Sequence, residues 1–260
     1  MSEDLKAAFE RKRHLSATWV SVGNPTVAEV SATRPFDFVL IDTEHTTTSL
    51  ETVENMHRAV EATPGDTGTV IRVPWNDPVY LKRVLDVGVS GVMVPMIDTV
   101  AEAESLVDSL RYPPEGSRGI ASGRAAGYGS EFRSYVANAD ETFVTIAQIE
   151  TLEGLSNVEA IADVDGIDAL FAGPADLSGA LGVFGEWDHP EFVAAMDRVI
   201  DAAHDAGIPV GTLTVQPADA PPRVEQGFDW QIIGKDTSYL MERHDHALDE
   251  YHEAIDRFDG

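Results

Sequence analysis

Two carboxylates, Glu150 and Asp176, each stand just past a short apolar run, in the segments QIETLEG and GPADLSG. Carboxylates gathered at strand ends repel one another unless a cation or a shared proton lies between them. A hard divalent cation such as Mg2+ or Mn2+, completed by water and substrate oxygens, suits such a pair. The same two residues also read as helix caps, because Asp176 opens Asp-Leu-Ser and Glu150 precedes a helical stretch. His45, in the run Asp42-Thr43-Glu44-His45, is a candidate base or proton shuttle whose ring an acidic neighbour would orient. A purely structural histidine near a strand end would look the same. Arg72 interrupts an apolar run, where it can pair with a buried carboxylate or stabilise a developing oxyanion. Gly173-Pro174-Ala175-Asp176 opens toward a helix and offers backbone N–H groups to an anion, although a plain tight turn has the same composition. Lys235 is the one lysine placed at a strand end, so a Schiff-base route would run through it; Lys6, Lys12 and Lys82 fall on predicted helices.

These residues need a frame that brings them together. Short apolar, β-rich runs recur at residues 16–22, 38–42, 69–73, 91–95, 143–149, 169–172, 209–213 and 230–233. Their near-continuous apolar character suits strands buried on both faces, as in a parallel sheet. Helical patterns lie between them, including 50–62, 79–87, 99–110, 152–162 and 190–206. Asp77-Pro78 and Thr99 supply start signals, and Gly88 and Gly207 supply stops. Eight strand-then-helix units predict an α/β fold, a closed (β/α)8 TIM barrel formed as one domain over residues 1–260. In such a barrel the chemistry lies at the C-terminal ends of the strands. There Asp42, Glu44 and His45, then Arg72, Gln148, Glu150, residues 173–176 and Lys235 form one constellation. The absence of Gly-x-Gly-x-x-Gly after the first strand argues against dinucleotide binding. A last helix, over about 238–258, has no strand after it and is expected to pack on a neighbouring subunit. No internal repeat, low-complexity tract or linker interrupts the pattern.

Composition narrows the setting. The chain of 260 residues has no cysteine, which removes disulfides, thiolate catalysis and Cys-based zinc sites together. Forty-five acidic residues against eighteen basic ones give a net charge of −27, a surface that repels nucleic acid and anionic membranes. The acids are dispersed and the apolar fraction is 43%, so neither an acidic tail nor a disordered chain accounts for them. Scattered Asp and Glu with only four lysines is the surface expected where concentrated salt screens self-repulsion, which predicts a halophilic source. No run approaches the roughly 20 apolar residues of a membrane helix, and the amphipathic start MSEDLKAAFERKRH has no apolar export core. A cytoplasmic location is expected.

Five blocks in order then carry a resemblance: FDFVLIDTEH, RVPWNDPVYLKRVLDVG, RYPPEGSRGI, QIETLEGLSNVEAI and GIDALFAGPADLSGALG. Between about Trp19 and Leu240 the sequence resembles the HpcH/HpaI aldolase family of metal-dependent (class II) pyruvate aldolases. The resemblance implies that Glu150 and Asp176 ligate a divalent cation, Mg2+ or Mn2+ with Co2+ as an alternative. It implies that His45, paired with Asp86, manages the proton, and that Arg72 holds the pyruvyl oxygen. Gln148 would support the site, and Gly173, Pro174 and Ala175 would receive the pyruvate carboxylate. Trp19 and Leu213 would complete the substrate-binding set, with Asp42 and Glu44 behind the metal waters and His45. The role of Asp86 rests on the resemblance alone. Also implied are small-molecule substrates, pyruvate and an aldehyde, and a homo-oligomer, a hexamer built as a trimer of dimers with an exchanged C-terminal helix.

The expected reaction is reversible cleavage of a 4-hydroxy-2-oxo acid, such as a 2-keto-3-deoxy sugar acid, to pyruvate and an aldehyde through a metal-stabilised enolate. A CoA-thioester lyase of the citrate lyase β-subunit or malyl-CoA lyase type is the alternative, and a catalytically silent barrel a third reading. Two positions depart from the family pattern. Lys235 stands where the family usually has an uncharged residue, and either binds an acidic acceptor substituent or pairs with a surface carboxylate. The loop of residues 122–127 is one residue short and is expected to line the aldehyde end.

Overall fold

The computed structural model describes residues 5–11, 14–214 and 216–259. The eight strands are β1 (Leu15–Val20), β2 (Phe38–Asp42), β3 (Gly68–Arg72), β4 (Gly91–Val94), β5 (Val144–Ile149), β6 (Ala169–Ala172), β7 (Val210–Thr214) and β8 (Trp230–Lys235). All neighbouring strands run parallel and β8 closes on β1, so the sheet is a closed barrel. Every strand residue of β2, β4, β5 and β6 is buried, as expected of strands covered on both faces. The expected fold is therefore the observed one.

The helices are α1 (Leu5–Glu10), α2 (Pro25–Ala32), α3 (Leu50–Ala62), α4 (Pro78–Leu85), α5 (Val100–Leu110) and α6 (Phe132–Asn138). They continue with α7 (Leu152–Ser156), α8 (Val158–Ala162), α9 (Pro174–Ala180), α10 (Pro190–Ala206), α11 (Ala220–Gln226) and α12 (Asp236–Asp259). The start signals act as read. Asp77 accepts from the Tyr80 N–H at 2.7 Å, and Thr99 with Glu102 forms a complete capping box. Gly207 ends α10 in the left-handed conformation. The helix expected over 152–162 is two helices that meet at Asn157, whose side-chain amide donates to the Asp98 carbonyl at 2.7 Å. That external tie competes with continuing the helix through Asn157. Of the lysines read as helical, Lys6 and Lys82 lie on α1 and α4, and Lys12 lies outside the described residues.

Two hydrophobic layers result. Alternate strand residues pack outward against the helices, with Met56, Leu81, Leu106, Phe192 and Met196 fully buried there. The inward set fills the barrel, which is a packed core and not a pore. Leu5, Ala8 and Phe9 of α1 join that inner set, and Phe9 lies 6.0 Å from Phe38 and 5.6 Å from Trp230 between ring centroids. Lys6 of the same helix is tied to Asp168 at 2.8 Å. The strand end opposite this plug is left for side chains that do chemistry.

Candidate active site

Asp42 and Arg72 are the last residues of β2 and β3, and the register pairs them directly. Cross-strand partners share a face, so a carboxylate and a guanidinium meet at the barrel mouth. Arg72 donates from Nε and Nη2 to the two oxygens of Asp42, both at 2.9 Å, a bidentate pair. Its Nη1 lies 2.8 Å from Glu44 Oε2 as an ion pair. The guanidinium carbon also sits 4.4 Å from the centroid of the Trp19 ring, a cation–π contact in a buried setting. Of the two sequence readings of Arg72, pairing with a buried carboxylate is thus realised. The guanidinium neutralises Asp42, whose pKa is lowered: burial opposes the charge, and the Arg72 hydrogen bonds and charge outweigh it.

Glu150 follows β5 and is 4% exposed, so its carboxylate has little water to solvate it. One oxygen accepts from the Met96 N–H at 2.9 Å, and the other accepts from the Gln148 side-chain amide. Burial nevertheless pushes its pKa up to about 7; the nearby charges of Glu44 and Asp176 add to the rise, against the Gln148 and Met96 hydrogen bonds. The helix-cap reading does not hold for Glu150, because Thr151 caps α7 by accepting from the Gly154 N–H. Asp176 lies exposed in the first turn of α9, whose N-cap is Gly173 and has no side-chain cap. Gly173 is required by close approach. A Cβ there would stand 3.0 Å from Glu150 Cβ and 3.2 Å from Glu150 Oε2.

The mouth therefore gathers Asp42, Glu44, Glu150 and Asp176, and Arg72 contacts only the first two of them. Among the described residues, the buried atoms at the mouth without a hydrogen-bond partner include Gln148 Oε1, Trp19 Nε1 and Glu44 Oε2, the last of which is held to Arg72 as an ion pair. Surplus carboxylate charge with an unused acceptor fits a hard cation, and an unused donor fits an anionic or carbonyl ligand. Among the described residues no group of three or more His, Cys, Asp or Glu side chains is spaced to hold a metal by itself. A cation held by Glu150 and Asp176 would take its other ligands from water and substrate. Leu213, in β7, packs against the inner core and is half-buried. Pro174 and Ala175 occupy the start of α9, where first-turn N–H groups have no intrahelical acceptor, though Pro174 has none to give.

His45 and Asp86 are not joined within the chain. The His45 side chain is 70% exposed and its Nε2 lies 3.7 Å from Glu44 Oε1. Asp86, the C-cap of α4, accepts from Arg118 Nη2 at 3.0 Å. The short loop of residues 122–127 lies with Asp86 and not at the mouth. The Ala125 N–H donates to the Asp86 carbonyl at 3.1 Å, and Arg124 donates to the Val87 carbonyl at 2.8 Å.

Met96 was not legible as a site residue, since it acts through its backbone. Its φ of 55° is left-handed in a non-glycine residue, a strained geometry held in the turn after β4. No side-chain chemistry in Pro95-Met96-Ile97 signals this.

With this geometry in hand, the likeness to other proteins has a physical counterpart. Residues 15–242 match the HpcH/HpaI aldolase/citrate lyase family. The chain is 39% identical over 224 residues to the hydroxypyruvate/pyruvate aldolase of Pseudomonas aeruginosa, spanning 86% of this chain and 83% of that one. It is 37% identical over 241 residues to the 4-hydroxy-2-oxo-heptane-1,7-dioate aldolase of Salmonella dublin, spanning 92% and 91%. An HpcH/HpaI aldolase/citrate lyase family protein of known structure from Burkholderia cenocepacia J2315 superposes with a TM-score of 0.92 at 35% identity, covering 95% of this chain and 98% of that one. The chain belongs to the HpcH/HpaI aldolase/citrate lyase family. It is an enzyme of the family's aldolase type.

Proposed function

We propose that this chain is a metal-dependent aldolase that cleaves a 4-hydroxy-2-oxo acid to pyruvate and an aldehyde, and joins them in reverse. The observation that carries the reading is the barrel mouth, where an Arg72–Asp42 pair stands beside the buried, cation-deficient carboxylate of Glu150. Glu150 and Asp176 would hold a divalent cation, Mg2+ or Mn2+. Such an ion polarises the carboxylate and C2 carbonyl of a 2-oxo acid, which makes a C3 proton removable near neutral pH.

The chain's own groups do the rest. Arg72 stands between Asp42 and Glu44, and its remaining N–H donors stabilise negative charge on the C2 oxygen. Asp42 and Trp19 hold that guanidinium against rotation. Gln148 presents its free Oε1 beside Glu150 and orients the carboxylate through its amide. Ala175 and Asp176 offer backbone N–H groups to the substrate carboxylate, with Gly173 and Pro174 shaping the approach. Trp19 and Leu213 bound the substrate's apolar flank. His45, exposed at the mouth beside Glu44, takes up and returns the proton. A homo-oligomer, such as a hexamer with exchanged C-terminal helices, is part of this reading. Helix α12 carries the exposed apolar residues Met241, Leu248, Tyr251, Ile255 and Phe258 at helical spacing, which supports burial against another copy. A neighbouring copy could then bring its Asp86 to His45.

The test is deuterium exchange into the methyl group of pyruvate, followed by NMR in concentrated salt with Mn2+ or Mg2+. Metal-dependent exchange that stops in excess EDTA is expected. A folded protein that exchanges under no metal, or turns over only a CoA thioester, would overturn the reading.

A further inference from the structure

Among the described residues only two that are not glycine have a positive φ, Met96 at 55° and Tyr128 at 53°. Tyr128 stands exposed between two glycines, Gly127 and Gly129. Met96 sits instead at the barrel mouth, half-buried between the buried residues Pro95 and Ile97. A methionine has no short polar side chain with which to offset the left-handed conformation locally. Such strain persists only where the surroundings over-determine it.

The surroundings of Met96 do so. Its N–H donates to Glu150 Oε1 at 2.9 Å, and the Ile97 N–H reaches the Gln148 carbonyl at 3.4 Å. An Asp98 carboxylate oxygen accepts from the Thr151 hydroxyl, and the Asp98 carbonyl accepts from the Asn157 amide at 2.7 Å. The Asp98 N–H donates to Glu102 Oε2 at 3.0 Å, which joins the turn to the capping box of α5. Residues 96, 97 and 98 are thus each laced to the end of β5 or to the helix pair after it.

The result falls on one carboxylate. Glu150 Oε1 is held by Met96, from the turn after β4, and Oε2 is held by the Gln148 amide. Of the two, Oε2 is the nearer to Gly173, the N-cap of the helix that carries Asp176. One donor on each oxygen fixes the plane of the carboxylate and leaves each oxygen a further lone pair. Returning Met96 to a negative φ would turn its peptide and withdraw the N–H from Oε1.

We infer that Met96 is a positioning residue: its left-handed backbone aims an N–H at Glu150 Oε1 and so presents Oε2 to a divalent cation shared with Asp176. The inference rests on the metal-dependent reading and deepens it. Oε1 is the anchor and Oε2 the ligand oxygen. The requirement lies in the backbone conformation and not in the methionine side chain. Asn and Gly adopt a positive φ readily, and a β-branched residue does not.

The test measures Mn2+ binding in concentrated salt, by electron paramagnetic resonance of the free ion, for wild type, Met96→Val, Met96→Asn and Met96→Gly. The site is defined as the binding lost in Glu150→Ala, because a chain of net charge −27 also attracts Mn2+ elsewhere. Met96→Val is expected to bind about tenfold more weakly, the loss typical of a removed ligand support. Met96→Asn and Met96→Gly, which lose the same side chain but keep the conformation, should stay close to wild type. Equal binding in wild type and Met96→Val, or an equal loss in all three variants, overturns the inference.

A second measurement needs neither a substitution at Met96 nor a metal. Pro95 has no N–H, so Met96 supplies the one exchangeable amide of that pair, and its hydrogen exchange can be read in EDTA by mass spectrometry. In Glu150→Ala the Met96 amide should exchange about tenfold faster, with the amides of β4 unchanged. An unchanged rate at Met96 overturns the inference whether or not Met96→Val folds. If wild type binds no Mn2+, the metal reading has failed, and the exchange rates alone decide whether Met96 holds Glu150.

Discussion

Arg72 contacts three side chains that define the mouth: Asp42, Glu44 and the Trp19 ring. A lysine keeps the charge but has no planar fork, so it cannot answer both oxygens of Asp42 and stack on the ring at once. Asp42 is 1% exposed, and leaving it imperfectly paired is costly. Arg72→Lys should lose about 3 kcal/mol of stability in urea unfolding and about a hundredfold in pyruvate exchange. Wild-type exchange in that variant would remove Arg72 from the mechanism. Glu150 supplies a pH test in metal-free protein. Its pKa rises from 4.5 to about 7 in the fold, mainly through burial, so the protonated form is favoured there. The associated stability is fully present below 4.5 and is lost as pH rises through about 7. Compared with Glu150→Gln in EDTA, wild-type unfolding free energy should fall by roughly 3 kcal/mol across that window. A pH-independent difference would show that Glu150 is solvated.

At the scale of elements, α1 closes one end of the barrel and the strand termini open the other. Phe9 is 1% exposed and makes edge contacts with Trp230, which also lies 5.7 Å from Phe38 and 5.6 Å from Phe171. Phe9→Ala should therefore cost about 3–5 kcal/mol in denaturant unfolding, because the rigid barrel around it collapses little into the cavity. A loss below about 1 kcal/mol would mean that the plug is dispensable. Most elements were legible from their periodicity and caps. The eight strands and helices α3, α5 and α10 emerge within a residue or two of their expected bounds, since burial on both faces writes a continuous apolar run. The division of residues 152–162 was not legible, because it depends on Asp98, far away in sequence. The register slip of β8 against β1, where Trp19 pairs with Lys235 after Ala17 with Ile232, was likewise hidden, since Ile-Ile-Gly-Lys reads as a plain strand end.

For the whole molecule, the net charge of −27 sets a demand that no single contact answers. Dispersed like charges repel in the compact state and are screened within about 8 Å at 0.15 M salt and 3 Å at 1 M. Raising KCl from 0.2 M to 2 M should raise the melting temperature by about 10 °C, read by circular dichroism. A flat or falling Tm would refute a surface built for salt.

The sequence by itself determined the barrel, the end of it that carries chemistry, and the residue types gathered there. Strand periodicity and five ordered blocks are local properties, and a parallel barrel sends every strand's last residues to one face. Only the tertiary structure decided how those residues divide their charge. The β2–β3 register makes Arg72 and Asp42 a pair, burial beside Glu44 and Asp176 sets Glu150 near 7, and the turn after β4 brings the Met96 N–H to Glu150. It also separated His45 from Asp86 within the chain, giving each a different partner. Hydrogen-bond geometry, desolvation and strand phase all depend on neighbours remote in sequence, and these exist only once the barrel has closed.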